Sequence, residues 1–112
     1  MPQIQKLKQN IDFRRAYGRG KLFSEPALVT YVLKNNRAGV CRYGITTGKK
    51  LGNAVVRNRC RRVINAAFCD IAGSVKPGCD IVFVARFKTS RLKSYQLREI
   101  MVKQLQSAGV LR

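Results

Sequence analysis

The side chains that could break or form covalent bonds are few in this 112-residue sequence, and their spacing suggests no catalytic group. Histidine is absent, which removes the commonest general base and a common metal ligand. The acids are scattered, and no two lie at a spacing that suggests a two-metal nuclease site. We therefore expect that this chain's own side chains do not perform a bond-breaking step. The acids are Asp12, Glu25, Asp70, Asp80 and Glu99.

The cysteines show no Cys-x-x-Cys spacing of the kind found in zinc fingers and ribbons. We predict small, buried, reduced thiols, because free cysteine is among the most buried residue types. The N-terminus lacks the apolar stretch of a secretory signal, and this absence favours a reducing compartment. The longest wholly apolar run, residues 81–85, is too short to span a membrane. The cysteines are Cys41, Cys60, Cys69 and Cys79.

The most informative chemical feature is positive charge. The chain holds 23 Lys and Arg against 5 Asp and Glu, a formal net charge of +18. No acid occurs between Pro26 and Cys69. Solvated surfaces usually mix both signs, so this arginine-rich run of one sign predicts a phosphate-backbone partner. The basic residues in the run are Lys34, Arg37, Arg42, Lys49, Lys50, Arg57, Arg59, Arg61 and Arg62.

The elements that must position these residues can be read from periodicity and turn signals. Hydrophobic residues make up 46% of the chain, which is enough to build the core of a single domain over 1–112. The patterns predict the order helix, three strands, helix, strand, helix. The predicted elements are a helix over 10–17 capped by Asn10, strands near 20–24, over 28–34 and over 40–47, a helix over 53–72, a strand over 81–86, and a last helix capped by Ser94 and closed by Gly109.

These elements indicate an α+β sandwich with one mixed sheet of about four strands. Turn residues at 35–39 predict a hairpin between the strands that flank them. The apolar run over 81–86 suits a central strand covered on both faces, with a parallel neighbour as one option. If that neighbour is the strand before the long helix, the crossover would ordinarily be right-handed.

The long helix can bury one face and present arginine on the other. An apolar stripe includes Val56, Cys60 and Ile64. Across the opposite side lie Arg59, Arg61 and Arg62, with Arg57 at the edge. Glycines and Asn53 precede this helix, whose N-terminus offers backbone N–H groups to a phosphate. The segment lacks the glycine spacing and the Lys-Ser/Thr pair of a Walker motif, so we reject ATP binding.

Phe13 and Tyr17 are four residues apart on the first helix and therefore project from one face. Periodicity alone favours packing of both rings against the core. The alternative is that these rings, together with Tyr31, stack on unpaired RNA bases beside the basic residues.

The run Arg42–Phe68, RYGITTGKKLGNAVVRNRCRRVINAAF, resembles the signature of the bacterial ribonuclease P protein subunit family. The family pattern K-x-G-x-A-V-x-R-N-x-x-[KR]-R is matched over 50–62. An early DF…Y..G pattern and the late DIVFVAR are similar to that family in the same order, so the resemblance spans most of the chain. The sequence departs from the pattern at Asn65, where a basic residue is frequent, and at Gly48, where serine is common.

The resemblance implies an endoribonuclease that is a ribonucleoprotein, with the catalytic centre in the RNA subunit. That RNA uses Mg²⁺ to remove the 5′ leader from precursor tRNA, and the protein binds the leader, docks on the catalytic RNA and lowers the magnesium requirement. The protein itself is implied to hold no cofactor and to contact no membrane. A bacterial cytoplasmic location and one protein subunit per RNA are also implied. The family fold has a left-handed strand–helix–strand crossover, an exception to the usual rule.

The resemblance also assigns roles to residues, none of them catalytic or metal-binding. According to the resemblance, the aromatic side chains of the first helix face the leader. The leader set is Phe13, Tyr17, Tyr31, Thr46, Arg57 and Asn58. The set expected to dock on the catalytic RNA is Lys49, Lys50, Asn53, Arg57, Arg59, Arg61 and Arg62.

Two other functions stay open at this point. A ribosomal or other structural RNA-binding protein would have the same basic face without a leader cleft. A protein nuclease acting alone is disfavoured by the lack of histidine and of paired acids.

Overall fold

The main chain forms a five-stranded mixed sheet with helices on both faces. The computed structural model describes residues 3–35, 37 and 39–112. The strand order is β1-β4-β5-β3-β2, with β1, β4 and β5 parallel and both β3 and β2 antiparallel to their neighbours. The elements are β1 (Gln3–Lys6), α1 (Asn10–Arg19), β2 (Lys21–Glu25), β3 (Leu28–Lys34), β4 (Val40–Thr46), α2 (Ala54–Ile71), β5 (Cys79–Ala85) and α3 (Ser94–Ser107).

The predicted α+β class with one mixed sheet is confirmed, but the sheet has five strands and not four. The missed strand is β1, whose four residues pair with the first part of β4, Val40 to Tyr43. Its sequence Gln-Ile-Gln-Lys is short and mostly polar, so it carries little strand signal by itself. The strand forms because β4 offers it an unpaired edge.

The predicted hairpin between β3 and β4 is wrong, because β5 lies between these two strands. Nearly every residue of β5 is buried, so this strand needs a hydrogen-bonded partner on each side and cover on both faces. The end of β3 contacts the start of β5, where the N–H of Asn35 donates to the carbonyl oxygen of Gly78 at 2.9 Å. Local turn residues could not reveal a partner more than 40 positions away.

The helices cover the sheet in two layers because successive β5 side chains point to opposite faces. Phe83 packs with Phe68 of α2 and Leu97 of α3 in the larger core. Val82 packs with Ala16 of α1 on the other face. Among the helices of the described residues, none combines the length and the apolar character that a membrane crossing requires.

The capping predictions had mixed outcomes. Asn53 caps α2 as its position before the helix suggests, and its side-chain oxygen accepts from a backbone N–H of the first turn. Asn10 and Ser94 are not caps, since they are the first helical residues of α1 and α3. Gln9 and Lys93 precede these helices, and neither side chain makes a capping hydrogen bond.

The prediction of buried cysteines is confirmed for three positions and wrong for Cys69, which is exposed on α2. Cys41 and Cys79 are register partners on β4 and β5, with their Sγ atoms 3.6 Å apart. The hydrogen bond to Cys79 and burial together raise the pKa of the Cys41 thiol far above its ordinary value. All four cysteines, including Cys60, are free thiols in this structure.

A buried ion pair ties the layers together. Arg42 on β4 binds Asp80 on β5 through both carboxylate oxygens, at 2.9 Å from Nε and 2.6 Å from Nη2. The same Nη2 lies 3.3 Å from Asp12 of α1, and Asn35 donates to Asp80 at 2.8 Å. The hydrogen bond to Asp80 raises the pKa of Arg42. These contacts fix α1 against the sheet.

Replacement of this arginine tests the network. Arg42→Met leaves Asp80, whose side chain is 4% exposed, without its cation, so unfolding should require about 3–5 kcal/mol less free energy. The matched control is Arg98→Met, which removes an exposed pair with Asp70 and should cost about 0–1 kcal/mol. Urea denaturation measures both changes, and equal losses would contradict the role given to the buried network.

Candidate nucleic-acid interface

A cleft of about 380 Å³ lies between α1 and the C-terminal end of β4. Four residues of α1 line it at i, i+3, i+4 and i+7 spacing, which places them on one helix face. The end of β4 and its continuation form the other wall, and one α2 side chain completes the cleft. The lining residues are Asn10, Phe13, Arg14, Tyr17, Ile45, Thr46, Thr47 and Arg61.

The structure brings together four residues that the resemblance assigns to leader binding: Phe13, Tyr17, Tyr31 and Thr46. The Tyr17 hydroxyl and Thr46 Oγ1 are hydrogen-bonded at 2.6 Å across the cleft. The ring of Tyr17 meets Tyr31 edge to face, with 5.1 Å between centroids. Phe13 and Tyr31 are half-buried, whereas Tyr17 is 40% exposed. Phe13 and Tyr17 therefore pack near the sheet and still line the cleft, whereas Tyr31 contacts Tyr17 and is not among the lining residues.

Gly44 lets Phe13 approach the sheet. A Cβ at this β4 position would lie 2.5 Å from two atoms of the Phe13 ring and 3.4 Å from Leu7 Cβ. Any larger residue must push the ring away from the strand. The absence of a side chain at Gly44 thus sets the depth of the cleft.

The shortness of β1 explains how α2 reaches the cleft. β1 pairs with β4 only as far as Tyr43, so the edge of β4 beyond that residue is not covered by β1. Arg61 lines the cleft here, and it also lines an adjoining cavity of about 210 Å³ that includes Lys6 and Phe13. Sequence resemblance placed Arg61 in the docking set, and the structure places it beside the aromatic residues as well.

The remaining predicted RNA-binding residues surround the N-terminal half of α2. Arg59 is exposed, but its Nε donates to the carbonyl oxygen of Ser90 at 2.8 Å, which holds it against the segment after β5. Arg57 is half-buried, and its buried Nε has no partner among the described residues. The other members of this surface are exposed: Lys49, Lys50, Asn53, Asn58 and Arg62.

Asn65, which stands where a basic residue is frequent in the family, has a structural contact. The hydroxyl of Tyr43 donates to Asn65 Oδ1 at 2.7 Å and joins β4 to α2. Burial raises the pKa of Tyr43, so this hydroxyl keeps its proton at neutral pH. The departure from the family pattern therefore adds an internal link between the sheet and the helix.

Sequence reasoning missed four residues of the cleft. Asn10 and Arg14 could have been found, because they share the helix face of Phe13 and Tyr17. Ile45 and Thr47 carried no such signal, since only the close approach of α1 to β4 brings them to this surface. Thr47 Oγ1 is buried without a hydrogen-bond partner in the described part of the chain.

The acids take no part in this surface. Asp12 and Asp80 contact Arg42, and Asp70 contacts Arg98. Within residues 3–35, 37 and 39–112, no group of three or more acids or cysteines is placed to hold a metal ion. The surface therefore offers rings, hydroxyls and unneutralised cations, which is the chemistry that binds single-stranded nucleic acid.

The fold and this surface define a basic α+β nucleic-acid-binding protein. The family model described as Ribonuclease P matches residues 1–109. The ribonuclease P protein component of Clostridium novyi is 38% identical over 111 residues, covering 98% of each chain. That of Clostridioides difficile is 48% identical over 81 residues, covering 71% of this chain and 70% of the relative.

Solved structures agree with these matches. The Staphylococcus aureus RNase P protein superposes with a TM-score of 0.82 at 31% identity, covering 96% of this chain and 97% of that one. The Thermotoga maritima RNase P protein gives a TM-score of 0.79 at 28% identity, covering 91% and 96%. The chain belongs to the ribonuclease P protein family.

Gly44→Ala tests the packing that shapes the cleft. The added methyl group must displace the Phe13 ring, so we expect a loss of about 1–3 kcal/mol in unfolding free energy and altered NMR shifts of that ring. Gly18→Ala is the control, because nothing lies within 4 Å of its Cβ and alanine favours helix by about 1 kcal/mol. If Gly44→Ala lowers the unfolding free energy by the same amount in a Phe13→Ala background as in the wild type, the contact between Gly44 and the Phe13 ring does not set the packing.

Proposed function

We propose that this chain is the RNA-binding protein subunit of ribonuclease P, which works with a catalytic RNA to remove the 5′ leader of precursor tRNA. The observation that carries the proposal is the cleft in which Phe13, Tyr17 and Thr46 lie beside Arg14 and Arg61. Membership of the ribonuclease P protein family supports the same function in tRNA processing.

The cleft suits a single strand better than a duplex. Unpaired bases can leave the stack and lie on aromatic rings, whereas paired bases keep their faces covered. The exposed surface of Tyr17 provides such a ring, and Arg14 and Arg61 can neutralise the accompanying phosphates.

The docking contact with the catalytic RNA uses the surface around the start of α2. Lys49, Lys50 and Arg62 project into solvent there and can each neutralise a backbone phosphate. Asn53 acts differently, because its side-chain oxygen already caps the helix. Its role in docking is to hold the first turn in place, so that the backbone N–H groups and neighbouring cations face the RNA.

In this proposal the protein contributes binding energy and the RNA performs the hydrolysis with Mg²⁺. Histidine is absent and three of the five acids are engaged by arginine, while Glu25 and Glu99 are not among the residues that line the cleft. The cleft therefore lacks a side chain of the kind that commonly acts as a general base. Cations between leader and catalytic RNA reduce phosphate repulsion, so less magnesium is required. We extend the proposal to a bacterial cytoplasmic enzyme with one protein subunit per RNA.

The assay that tests the function is cleavage of precursor tRNA at low magnesium. Catalytic RNA alone and protein alone should be nearly inactive, and the mixture should release the 5′ leader. Cleavage by RNA-free protein would instead indicate a protein nuclease. No change on adding protein would point to a structural RNA-binding role.

Leader recognition is tested by comparing precursor with mature tRNA in the assembled enzyme. Phe13→Ala or Tyr17→Ala should weaken precursor binding by about 1–3 kcal/mol through lost base stacking and leave mature tRNA binding unchanged. Tyr95→Ala is the control, because this exposed ring lies on α3, away from the cleft. Equal weakening for both tRNAs, or an equal effect of Tyr95→Ala, would contradict a leader site.

A further inference from the structure

A second basic concavity, of about 300 Å³, lies on the other side of α1 from the cleft. Arg15 and Arg19 of α1, Lys34 at the end of β3, and Arg37 surround it. On a helical wheel Arg15 and Arg19 project about opposite to Phe13, Arg14 and Tyr17, so the helix separates the two sites. We name this site the rear pocket, formed by Arg15, Arg19, Leu33, Lys34, Asn35, Arg37, Arg42 and Asp80.

The four cations around the rear pocket have no carboxylate within 4 Å in the described part of the chain. Asp12 and Asp80 are both bound to Arg42. Glu25 lies at the end of β2, where its register partner is Leu28, at the opposite end of β3 from Lys34. The two other acids belong to α2 and α3, which pack on the opposite face of the sheet.

An anion is therefore the ligand that this pocket fits. Arg15, Arg19, Lys34 and Arg37 are all exposed, and their mutual repulsion falls when a negatively charged group enters between them. A phosphate accepts two parallel hydrogen bonds from an arginine, and it pairs with lysine as a point charge. A volume of about 300 Å³ lies at the lower end of the range for ligand sites, which is enough for a short stretch of sugar–phosphate backbone.

The floor of the rear pocket is held in place. Arg42 and Asp80 make a two-point ion pair there, and Asn35 donates to the same carboxylate at 2.8 Å. Arg42 is shared by Asp80 and Asp12, so the three groups carry one net negative charge, which the four surrounding cations outnumber. The cations of α1 and β3 are positioned around a rigid base and not on a free loop.

The rear pocket is well separated from the docking surface at the start of α2. The pocket lies where β4 begins, and α2 follows the end of the same strand. Seven residues of strand span about 20 Å, so a partner that touches both sites must extend at least that far. A single-stranded leader in the cleft would have to cross α1 to enter the pocket, whereas a folded RNA can follow the outer surface.

We propose that the rear pocket binds the phosphodiester backbone of the catalytic RNA at a second contact, distinct from both the leader cleft and the α2 docking surface. This inference rests on the proposed function, since it takes the catalytic RNA as the partner. Two to three phosphates would be neutralised there by Arg15, Arg19 and Lys34, with Arg37 at the margin.

The test measures the affinity of the full chain for catalytic RNA, without precursor tRNA, over a range of salt concentrations. The variant Arg15→Gln/Arg19→Gln/Lys34→Gln should bind at least about tenfold more weakly at low salt, and its log–log salt slope should fall by about 2–3. The control Arg98→Gln/Lys103→Gln/Arg112→Gln removes the same charge from solvent-facing positions on α3 and at residue 112, and it should keep the wild-type slope. Thermal melts confirm that both variants fold.

A conservative variant adds a second readout. Arg15→Lys/Arg19→Lys keeps the charge, so the salt slope should stay near that of the wild type, while affinity falls because lysine cannot make the two-point contact. Equal losses in the pocket and control triple variants would show a general charge effect and overturn the proposal. A loss confined to precursors with long leaders, with unchanged binding to the catalytic RNA, would assign the pocket to the leader and also overturn it.

Different experiments would overturn the proposed function and the rear pocket proposal. If the wild-type protein neither binds the catalytic RNA nor supports cleavage, the proposed function is wrong. If the wild type is active and the pocket triple variant binds as the control does, only the rear pocket proposal is wrong.

Discussion

The ion pair between Arg42 and Asp80 is the contact on which the arrangement of the two RNA-facing sides depends. It joins the central parallel strands β4 and β5, and Asp12 connects the same arginine to α1. A buried arginine is favourable only when carboxylates satisfy it, so the helix is held at this point of the sheet. Once α1 is fixed there, one of its faces forms a wall of the cleft and the other borders the rear pocket.

Placement of charge follows from this framework. The chain has five acids, and three of them contact arginine, two within the interior and one at the surface of α2. The cations on α1, at the β3–β4 connection and along α2 are therefore left to solvent and to partners. Such a protein contributes to a reaction by holding polyanions together, since neutralised phosphates approach one another more readily. The aromatic rings add selectivity for unpaired bases.

Local elements were predictable because their determinants lie close together in the chain. Strand β3 over 28–34 and helix α2 after Asn53 follow from short-range periodicity, turn residues and capping. Pairing was not predictable, because β5 enters between β3 and β4 from a distant part of the sequence, and β1 forms only against the edge of β4. The hand of the β4–α2–β5 crossover stays a prediction from the family resemblance.

The sequence by itself determined the charge, the absence of a histidine base, the arginine-bearing helix and the motif that resembles the ribonuclease P protein family. Those properties depend on residue type and short spacing. The tertiary structure alone decided that Arg61 lies beside Phe13, that Gly44 admits the Phe13 ring, and that Arg15, Arg19 and Lys34 line one pocket. Each of these contacts joins elements whose approach is set by burial of β5 and by the Arg42 network, which are long-range consequences of packing.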